Sequence, residues 1–216
     1  MKGKTTGHLP LTLLGIVLAL IGYWGPWVNH KAAALVLSGL DMSEYVKFLA
    51  EVKQGTKPVV RELFYLPLLA AALCLALLSA DERANYSLWM RRLMLIAAIA
   101  LALIVLPAYP FILQAPASAE FRWQFASSVL CLLFIIGCRF HRFSSPVTAW
   151  LVIGFALVGI VPPLWQFFSI RGAISRVYGR PVELGWGLGL TAAGFLIVAL
   201  KEAASLLTKR NDSLAE

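Results

Sequence analysis

Apolar runs close to the length of a membrane-crossing helix recur along the chain, and they constrain its fold more than any other feature. About 20 residues of α-helix cross the hydrocarbon core of a bilayer. The bilayer offers no water to backbone N–H and C=O groups, and a helix satisfies them internally. The sequence therefore predicts an all-α polytopic membrane helix bundle, a single transmembrane domain over residues 1–216. Its six transmembrane helices are predicted at 9–28, 62–80, 93–113, 123–138, 147–170 and 183–200.

The composition supports a membrane protein and argues against a soluble one. Charged residues make up 14% of the chain, against about 25% in soluble domains, and the mean hydropathy is +0.78. The formal net charge of +8 could indicate nucleic-acid binding only if it were clustered on a folded surface. The basic residues lie instead at the ends of the apolar runs, where membrane proteins place them. We therefore expect membrane lipids, and no nucleic acid, as partners.

The fourth run, 123–138, is the shortest and leaves the number of spans open. It is shorter than the roughly 20 residues that a crossing helix needs. Either it crosses where the bilayer is thin, or it enters and leaves on the same side. The second alternative would give five spans.

The orientation is predicted from basic and aromatic residues. Lys and Arg divide almost evenly between the two sides, but five of those on the outer side fall in the long connection 29–61, and long loops cross with little regard to charge. Lys2 and Lys4 precede the first run, which we expect to stay uncleaved. We predict an inner (plasma) membrane protein with both termini cytoplasmic and loop 29–61 outside. Tryptophans, which favour membrane interfaces, then gather at the outer side: Trp24, Trp27, Trp123, Trp165 and Trp186.

The outer loop is predicted to contain an amphipathic helix. Asp41 followed by Glu44 is typical of a capping box, with Asp41 as the N-cap. The helix would run for about three turns, on the bilayer surface or over the bundle. Its apolar face would cover the protein itself or dock a partner. That face consists of Met42, Tyr45, Val46, Leu49 and Val52.

Small residues spaced by four in the last run indicate helix packing. Gly185, Gly189 and Ala193 would let another helix approach closely. The neighbouring helix belongs to the same bundle in one interpretation and to another subunit in the other.

Candidate binding residues lie on the predicted outer side. Arginines beside the aromatic layer could bind lipid headgroups or an anionic ligand, or contact phospholipid individually. These candidates are Trp27, Arg61, Arg122, Arg171, Arg176 and Arg180. His30 could ligate a haem or pigment, although an interfacial histidine is the favoured interpretation. The sequence identifies no cofactor.

No catalytic or metal-binding residues are predicted. The chain shows no cluster of His, Cys, Asp and Glu with metal-ligand spacing. It also places no ionisable residue in the middle of a run. Ion-coupled transporters and proton relays normally have ionisable residues there.

The Pro26-Trp27 pair followed by Ser38-Gly39 resembles the first outer loop of small polytopic bacterial membrane proteins of uncharacterised function. The glycine-spaced last run, 185–194, resembles theirs as well. The resemblance implies a bacterial membrane protein and no particular activity.

Three functional hypotheses remain. The favoured one is a non-enzymatic integral membrane accessory or scaffold subunit of a larger bacterial complex, with other membrane subunits as partners. The second is a permease-type or lipid-binding protein that uses the outer aromatic and arginine layer. The third is a lipid-modifying membrane enzyme that uses Asp41, Glu44, His30 or Arg61.

Overall fold

The structure, a computed structural model, describes residues 9–30, 35–81, 86–141 and 143–215. It is mostly helical, which confirms the predicted all-α class. In the described part, each of the six predicted runs overlaps one long α-helix, and three short α-helices lie between the long ones. In chain order the helices are α1 (Leu9–Trp24), α2 (Gly39–Tyr45), α3 (Ala50–Lys53), α4 (Leu66–Ala80), α5 (Leu88–Ile104), α6 (Phe111–Gln114), α7 (Arg122–Phe140), α8 (Ser145–Tyr178) and α9 (Trp186–Ala215).

Four helical segments of the described residues are long and apolar enough to cross a membrane. They are Arg61–Ala80, which adds a 3-10 turn to the start of α4, Arg122–Phe140, Ser145–Tyr178 and Trp186–Thr208. In α1, Leu11–Trp24 is a shorter apolar helix. The basic residues Lys2 and Lys4, which entered the predicted orientation, lie outside the described residues.

Several helix ends differ from the predicted boundaries. The first helix ends at Trp24, and the residues that follow it form a strand instead of a last helical turn. Helix α5 starts five residues before the predicted 93, because the Ser87 hydroxyl caps it by accepting from the Met90 N–H at 3.3 Å. It ends at Ile104, ahead of Pro107. Helix α7 is a continuous helix of 19 residues, longer than the predicted 123–138.

A small antiparallel sheet ties the end of α1 to the start of α9. Strand β1 (Pro26–Asn29) lies between β2 (Leu37–Ser38) and β3 (Glu183–Leu184). Val28 pairs with Leu37 on one side and with Leu184 on the other. The Gly185 N–H donates to the Trp27 carbonyl at 2.9 Å. Segments far apart in sequence are thus fixed at one end of the bundle.

Helix α4 occupies the centre of the bundle. It contacts α1, α5, α7 and α8, whereas α9 packs mainly on α1 and α8. Within its most apolar stretch, Arg61–Ala80 is 78% buried, compared with 28% for Arg122–Phe140. Ala72 and Ala76 are fully buried, so their small side chains let neighbouring helices approach this axis.

Helices α1 and α9 approach until their backbones touch. A Cβ added to Gly22 would lie 2.3 Å from the Thr191 nitrogen, and one added to Gly194 would lie 2.4 Å from the Ala19 nitrogen. Only glycine allows such an approach. Gly187 completes this contact, since its added Cβ would lie 2.5 Å from the Gly22 oxygen.

The small residues predicted for helix packing lie mostly outside the contact between α1 and α9. Gly185 is buried, but it precedes α9 and lies against Pro26 of strand β1 instead of against a helix. Gly189 and Ala193 are exposed, and a Cβ on Gly189 would meet nothing within 4 Å. Packing within the bundle therefore does not involve these two, and packing of their face against another subunit stays a prediction.

Candidate functional site

The segment Gly39–Lys53, here called the cap, folds over one end of the bundle. It starts with a capping box one turn earlier than predicted: Ser38 is the N-cap, and Asp41 is the third helical residue. The Asp41 N–H donates to the Ser38 hydroxyl at 3.3 Å, and the Ser38 N–H donates to the Asp41 carboxylate at 2.9 Å. The prediction of Asp41 as the N-cap was wrong. Ser38 and Asp41 have the same spacing of three residues as Asp41 and Glu44, and the helix starts at the earlier pair.

The cap consists of short helical pieces and not of one amphipathic helix. Helix α2 leads into a 3-10 turn, Val46–Phe48, and Leu49 is extended, with φ −64° and ψ 132°, before α3 begins. Met42, Val46 and Leu49 are nevertheless at most 1% exposed. Tyr45 and Val52 are partly buried against the same core.

This burial bears on the two interpretations of the cap. The predicted apolar face is turned towards the chain's own helices, as the covering interpretation expects. A partner could reach Met42, Val46 or Leu49 only if the cap lifted. Docking of a partner on this face stays a prediction.

Arg61 lies beneath the cap, at the junction with α4 and α7. Its side chain is 9% exposed. Its Nη2 donates to the Glu120 carbonyl at 2.6 Å and to the Gln124 side chain at 3.1 Å, and its Nε donates to Glu62 at 3.3 Å. Gln124 is itself buried and donates to the Val105 carbonyl at 2.8 Å. The guanidinium therefore joins the start of α4 to the start of α7.

Two carboxylates and a lysine extend this contact to the cap. Lys47 lies 2.6 Å from the Glu44 carboxylate and 2.9 Å from that of Glu120. The Nη1 of Arg61 lies 3.5 Å from Glu44 and 3.6 Å from Glu120. Both cations also lie over the Phe121 ring, at 5.8 Å for Lys47 and 5.0 Å for Arg61.

We call this group the Arg61 cluster. Its ionised members are Glu44, Lys47, Arg61, Glu62 and Glu120. The carboxylates outnumber the cations, so the positive charge of Arg61 is balanced within the protein. An anionic ligand at Arg61 would have to displace a carboxylate.

Contacts within the cluster shift the pKa values of Glu44 and Lys47. Burial alone raises the pKa of Glu44, but the hydrogen bond and charge of Lys47, together with the charge of Arg61, outweigh it and lower that pKa below its usual value. Burial alone lowers the pKa of Lys47, but its contacts with Glu44 and Glu120 outweigh it and raise that pKa. Each partner favours the ionised form of the other.

The far end of the cap and the segment after it are tied to α8. The Arg176 Nε donates to the Glu51 carboxylate at 2.8 Å. Lys57 donates to the Ser169 carbonyl at 2.9 Å, and the Val60 N–H donates to the Gln166 side chain at 3.1 Å. Gln166 is 1% exposed, so this last contact reaches into the core.

Arg171 and Arg122 have separate contacts. Arg171 donates to the Val182 carbonyl at 3.0 Å. Arg122 is exposed and lies 5.4 Å from the centre of the Trp123 ring. Arg180 is partly exposed. A shared headgroup or anion site formed by these arginines stays a prediction.

Trp27 lies in an aromatic core under the cap and is 1% exposed. Its ring makes edge contacts with Tyr23, Phe64 and Phe167 at centroid distances of 6.1–6.2 Å. Gly39 fits against this core, because an added Cβ would lie 2.7 Å from the Tyr23 ring. The Tyr23 hydroxyl and the Trp27 indole N–H are buried without a hydrogen-bond partner. Trp27 could meet a ligand only after the cap moved.

Sequence reasoning missed a buried carboxylate at the opposite end of the bundle. Glu202 is 8% exposed. It accepts from Thr12 Oγ1 at 3.0 Å and from Lys201 at 2.8 Å. The sixth run was predicted to end at 200, whereas the apolar helical segment continues to Thr208. Leu206 and Leu207, which follow the charged pair, are the signal that could have revealed the continuation.

Among the described residues, no group of three or more His, Cys, Asp and Glu could hold a metal ion. His30 makes an edge contact with the Tyr178 ring at 5.3 Å. The three cysteines, Cys74, Cys131 and Cys138, are buried and unpaired with one another.

Fold and site together define an all-α helical bundle with a charged cap at one end and helices apolar enough for a membrane. Comparison of the chain with family models, curated protein sequences and solved structures finds no match.

Proposed function

We propose that the protein is a non-enzymatic integral membrane accessory or scaffold subunit of a larger bacterial complex. The observation that carries the proposal is the attachment of the cap, and of the segment that leads from it to Arg61, to several helices at once. Arg61 joins it to α7 through Gln124, while Arg176 and Gln166 join it to α8. The cap end of the bundle is thereby held in one arrangement.

A fixed cap end suits a structural role better than transport. Alternating access moves helices apart around a central site. Opening this bundle at the cap end would separate Arg61 from Gln124 and expose Met42 and Leu49. The enzyme hypothesis gains no separate support, because Asp41 is used in the capping box and Glu44 in the Arg61 cluster.

The proposal includes six membrane-crossing helices, with the cap outside the inner membrane and both termini in the cytoplasm. Tryptophans exposed at both ends of the bundle support membrane insertion with one end at each interface, because indoles favour membrane interfaces. Trp123 and Trp165 are 62% and 66% exposed at the cap end, and Trp89 and Trp150 are 72% and 64% exposed at the opposite end.

Membrane placement is tested with single reporter cysteines. The native cysteines are buried, so a new thiol at an exposed position gives the signal. After alkaline carbonate extraction confirms an integral protein, Gln54→Cys should react with a membrane-impermeant reagent in spheroplasts. Thr208→Cys should react only after permeabilisation. The reverse pattern would overturn the orientation.

The subunit role is tested by purification at native expression level in a mild detergent. A stoichiometric membrane partner is expected. The exposed face with Gly189 and Ala193 is where a helix of another subunit could approach closely. Gly189→Leu should release the partner, whereas Gly154→Leu, at an equally open exposed glycine of α8, should retain it. A lone monomer in wild-type membranes would refute the proposal.

A further inference from the structure

The Arg61 cluster contains a buried hydrogen-bond donor that lacks an acceptor. The Nη1 atom of Arg61 is buried and makes no hydrogen bond with the residues that the structure describes. Carboxylate oxygens of Glu44 and Glu120 lie 3.5 and 3.6 Å from it. A charge-assisted hydrogen bond measures about 2.7–2.9 Å. Because an unmade hydrogen bond is costly for a buried group, this atom would gain from a better placed anionic oxygen.

The protein holds Arg61 and Lys47 side by side without help from the Glu120 carboxylate. The Nη2 atom of Arg61 donates to the Gln124 side chain at 3.1 Å. The guanidinium and the Lys47 ammonium both lie over the Phe121 ring, at 5.0 and 5.8 Å from its centre. The two cations therefore form a preorganised pair.

The carboxylate of Glu120 contacts both cations and can leave them without unfolding its own segment. Its side chain is 50% exposed, and Oε1 lies 2.9 Å from the Lys47 ammonium. Ion pairs this exposed contribute little to stability. The backbone carbonyl of Glu120 is held separately, by Nη2 of Arg61 at 2.6 Å. The side chain can therefore turn into solvent while the start of α7 stays attached.

Departure of this carboxylate also removes the excess negative charge of the cluster. Three carboxylates and two cations are present in the cluster. Without the Glu120 carboxylate, Glu44 and Glu62 remain and balance Lys47 and Arg61. An incoming anion thus replaces a negative charge instead of adding to an excess.

We propose that Arg61 and Lys47 form a binding site for a terminal phosphate group, and that the Glu120 carboxylate is its tethered, displaceable occupant. A phosphate carries oxygens in several directions and about 1.5 to 2 negative charges at pH 7, so it can accept from Nη1 and from the Lys47 ammonium together. Oε1 of Glu120 is within hydrogen-bond distance of Lys47 only. The inference is independent of the proposed subunit role.

The test is thermal unfolding of the delipidated protein in a mild detergent at pH 7. Inorganic phosphate is titrated at constant ionic strength, and the shift of the midpoint gives an apparent Kd. Glu120→Gln keeps the size of the side chain and removes the competing charge. It should lower the Kd by up to about fivefold, the effect of one exposed ion pair. Glu183→Gln, at an exposed carboxylate of β3, makes the same change in net charge and should leave the Kd unchanged.

A second pair of variants tests the lysine. Lys47→Gln should raise the Kd for phosphate by about fivefold or more, because the phosphate then loses one of its two cations. Lys53→Gln, at an exposed lysine directly after Val52, is the matched control and should leave it unchanged. Equal effects within either matched pair would overturn the proposal, because bulk charge would then explain the binding. Acetate that stabilises the protein as strongly as phosphate would overturn the assignment of a phosphate group.

Nanodiscs distinguish a free phosphate from a lipid headgroup. If the ligand is free, inorganic phosphate should stabilise the protein in nanodiscs of phosphatidylcholine, with the same dependence on Glu120 and Lys47. If it is a headgroup, phosphatidic acid in the nanodisc should stabilise the protein with that dependence. A wild type and a Glu120→Gln variant that respond to neither would overturn the proposal. Phosphate binding and partner retention are separate measurements, so this proposal and the subunit role can fail independently.

Discussion

Thr12 on the first helix donates a hydrogen bond to Glu202 on the last, with 3.0 Å between Oγ1 and Oε1 in a buried position. The two residues are 190 positions apart in sequence. Lys201 contacts the same carboxylate oxygen at 2.8 Å. Together with the sheet at the cap end, which joins β1 to β3, this contact fixes α1 against α9 at both ends.

The first prediction concerns this contact. Thr12→Val should destabilise the fold by about 1 kcal/mol, because it removes one donor from a buried acceptor that keeps Lys201. Glu202→Leu should cost more, since it leaves both Thr12 and Lys201 without their acceptor. Glu202→Gln, which keeps an acceptor oxygen, is the matched control. Thermal unfolding in nanodiscs measures all three, and equal stability of Glu202→Leu and wild type would contradict the assignment.

The second prediction contrasts two glycines on opposite faces of α9. Gly187→Ala should destabilise the bundle by about 1–3 kcal/mol, the usual cost of overpacking, because its Cβ would lie 2.5 Å from the Gly22 oxygen. Gly189→Ala should leave the stability unchanged or raise it slightly, since its Cβ meets nothing. Unfolding midpoints in the same detergent test both. A more harmful change at Gly189 than at Gly187 would contradict the packing described here.

The sequence predicts the helices well and their contact faces poorly. Apolar length alone locates the six long helices, because a helix long enough to cross a bilayer requires a continuous apolar run of about 20 residues. A spacing of four selects Gly185, Gly189 and Ala193, yet the face that touches α1 contains Gly187 and Gly194. Both faces of α9 carry small residues. Only the position of α1 decides between them, and that position is a tertiary property.

The sequence predicts several residues of the candidate site but not the contacts between them. Sequence reasoning named Arg61 and Glu44 together in the enzyme hypothesis, but it did not predict a contact between them. Glu120, which brings them together, lies 59 residues after Arg61, and no local pattern relates the two. Glu202 was missed because α9 continues beyond the last uncharged stretch. Pairing between distant polar residues compensates for burying them, and such pairing cannot be read from local spacing.

The third prediction separates a buried arginine from an exposed one. Arg61→Gln should destabilise the bundle by about 2–3 kcal/mol, because Glu120, Gln124 and Glu62 lose a charged donor. Arg122→Gln should change it by less than about 1 kcal/mol, since Arg122 is exposed and its guanidinium lies over the Trp123 ring at the surface. Chemical denaturation in mixed micelles compares them. Similar effects of the two changes would mean that Arg61 does not anchor the cap end.

The last prediction is a dependence of cap attachment on pH. The pKa of Glu44 is lowered in the folded protein. The stabilisation of the folded cap by ionised Glu44 is therefore complete above the pKa of an unfolded carboxyl group, about 4.3. It is lost as the pH falls through the lower pKa of the folded state. The pKa of Lys47 is raised in the folded protein. The stabilisation of the folded cap by the Lys47 ammonium is therefore complete below the pKa of an unfolded lysine, about 10.4. It is lost as the pH rises through the higher pKa of the folded state. The cap should therefore be held most firmly between these two limits.

A nitroxide on Gln54→Cys, at the exposed residue directly after the cap, reports this attachment by its spectral line width. The label should be more mobile at an acid pH that lies below the lowered pKa of Glu44 than at pH 7, because Glu44 then loses its charge towards Lys47 and Arg61. In the background of Glu44→Gln, mobility should already be raised at pH 7 and should change less on acidification. The pKa of Glu51 is also lowered, mainly by its hydrogen bond with Arg176, so a residual response to acid is expected in that variant. A label equally immobile at both pH values in the wild type would show that the ion pairs do not hold the cap.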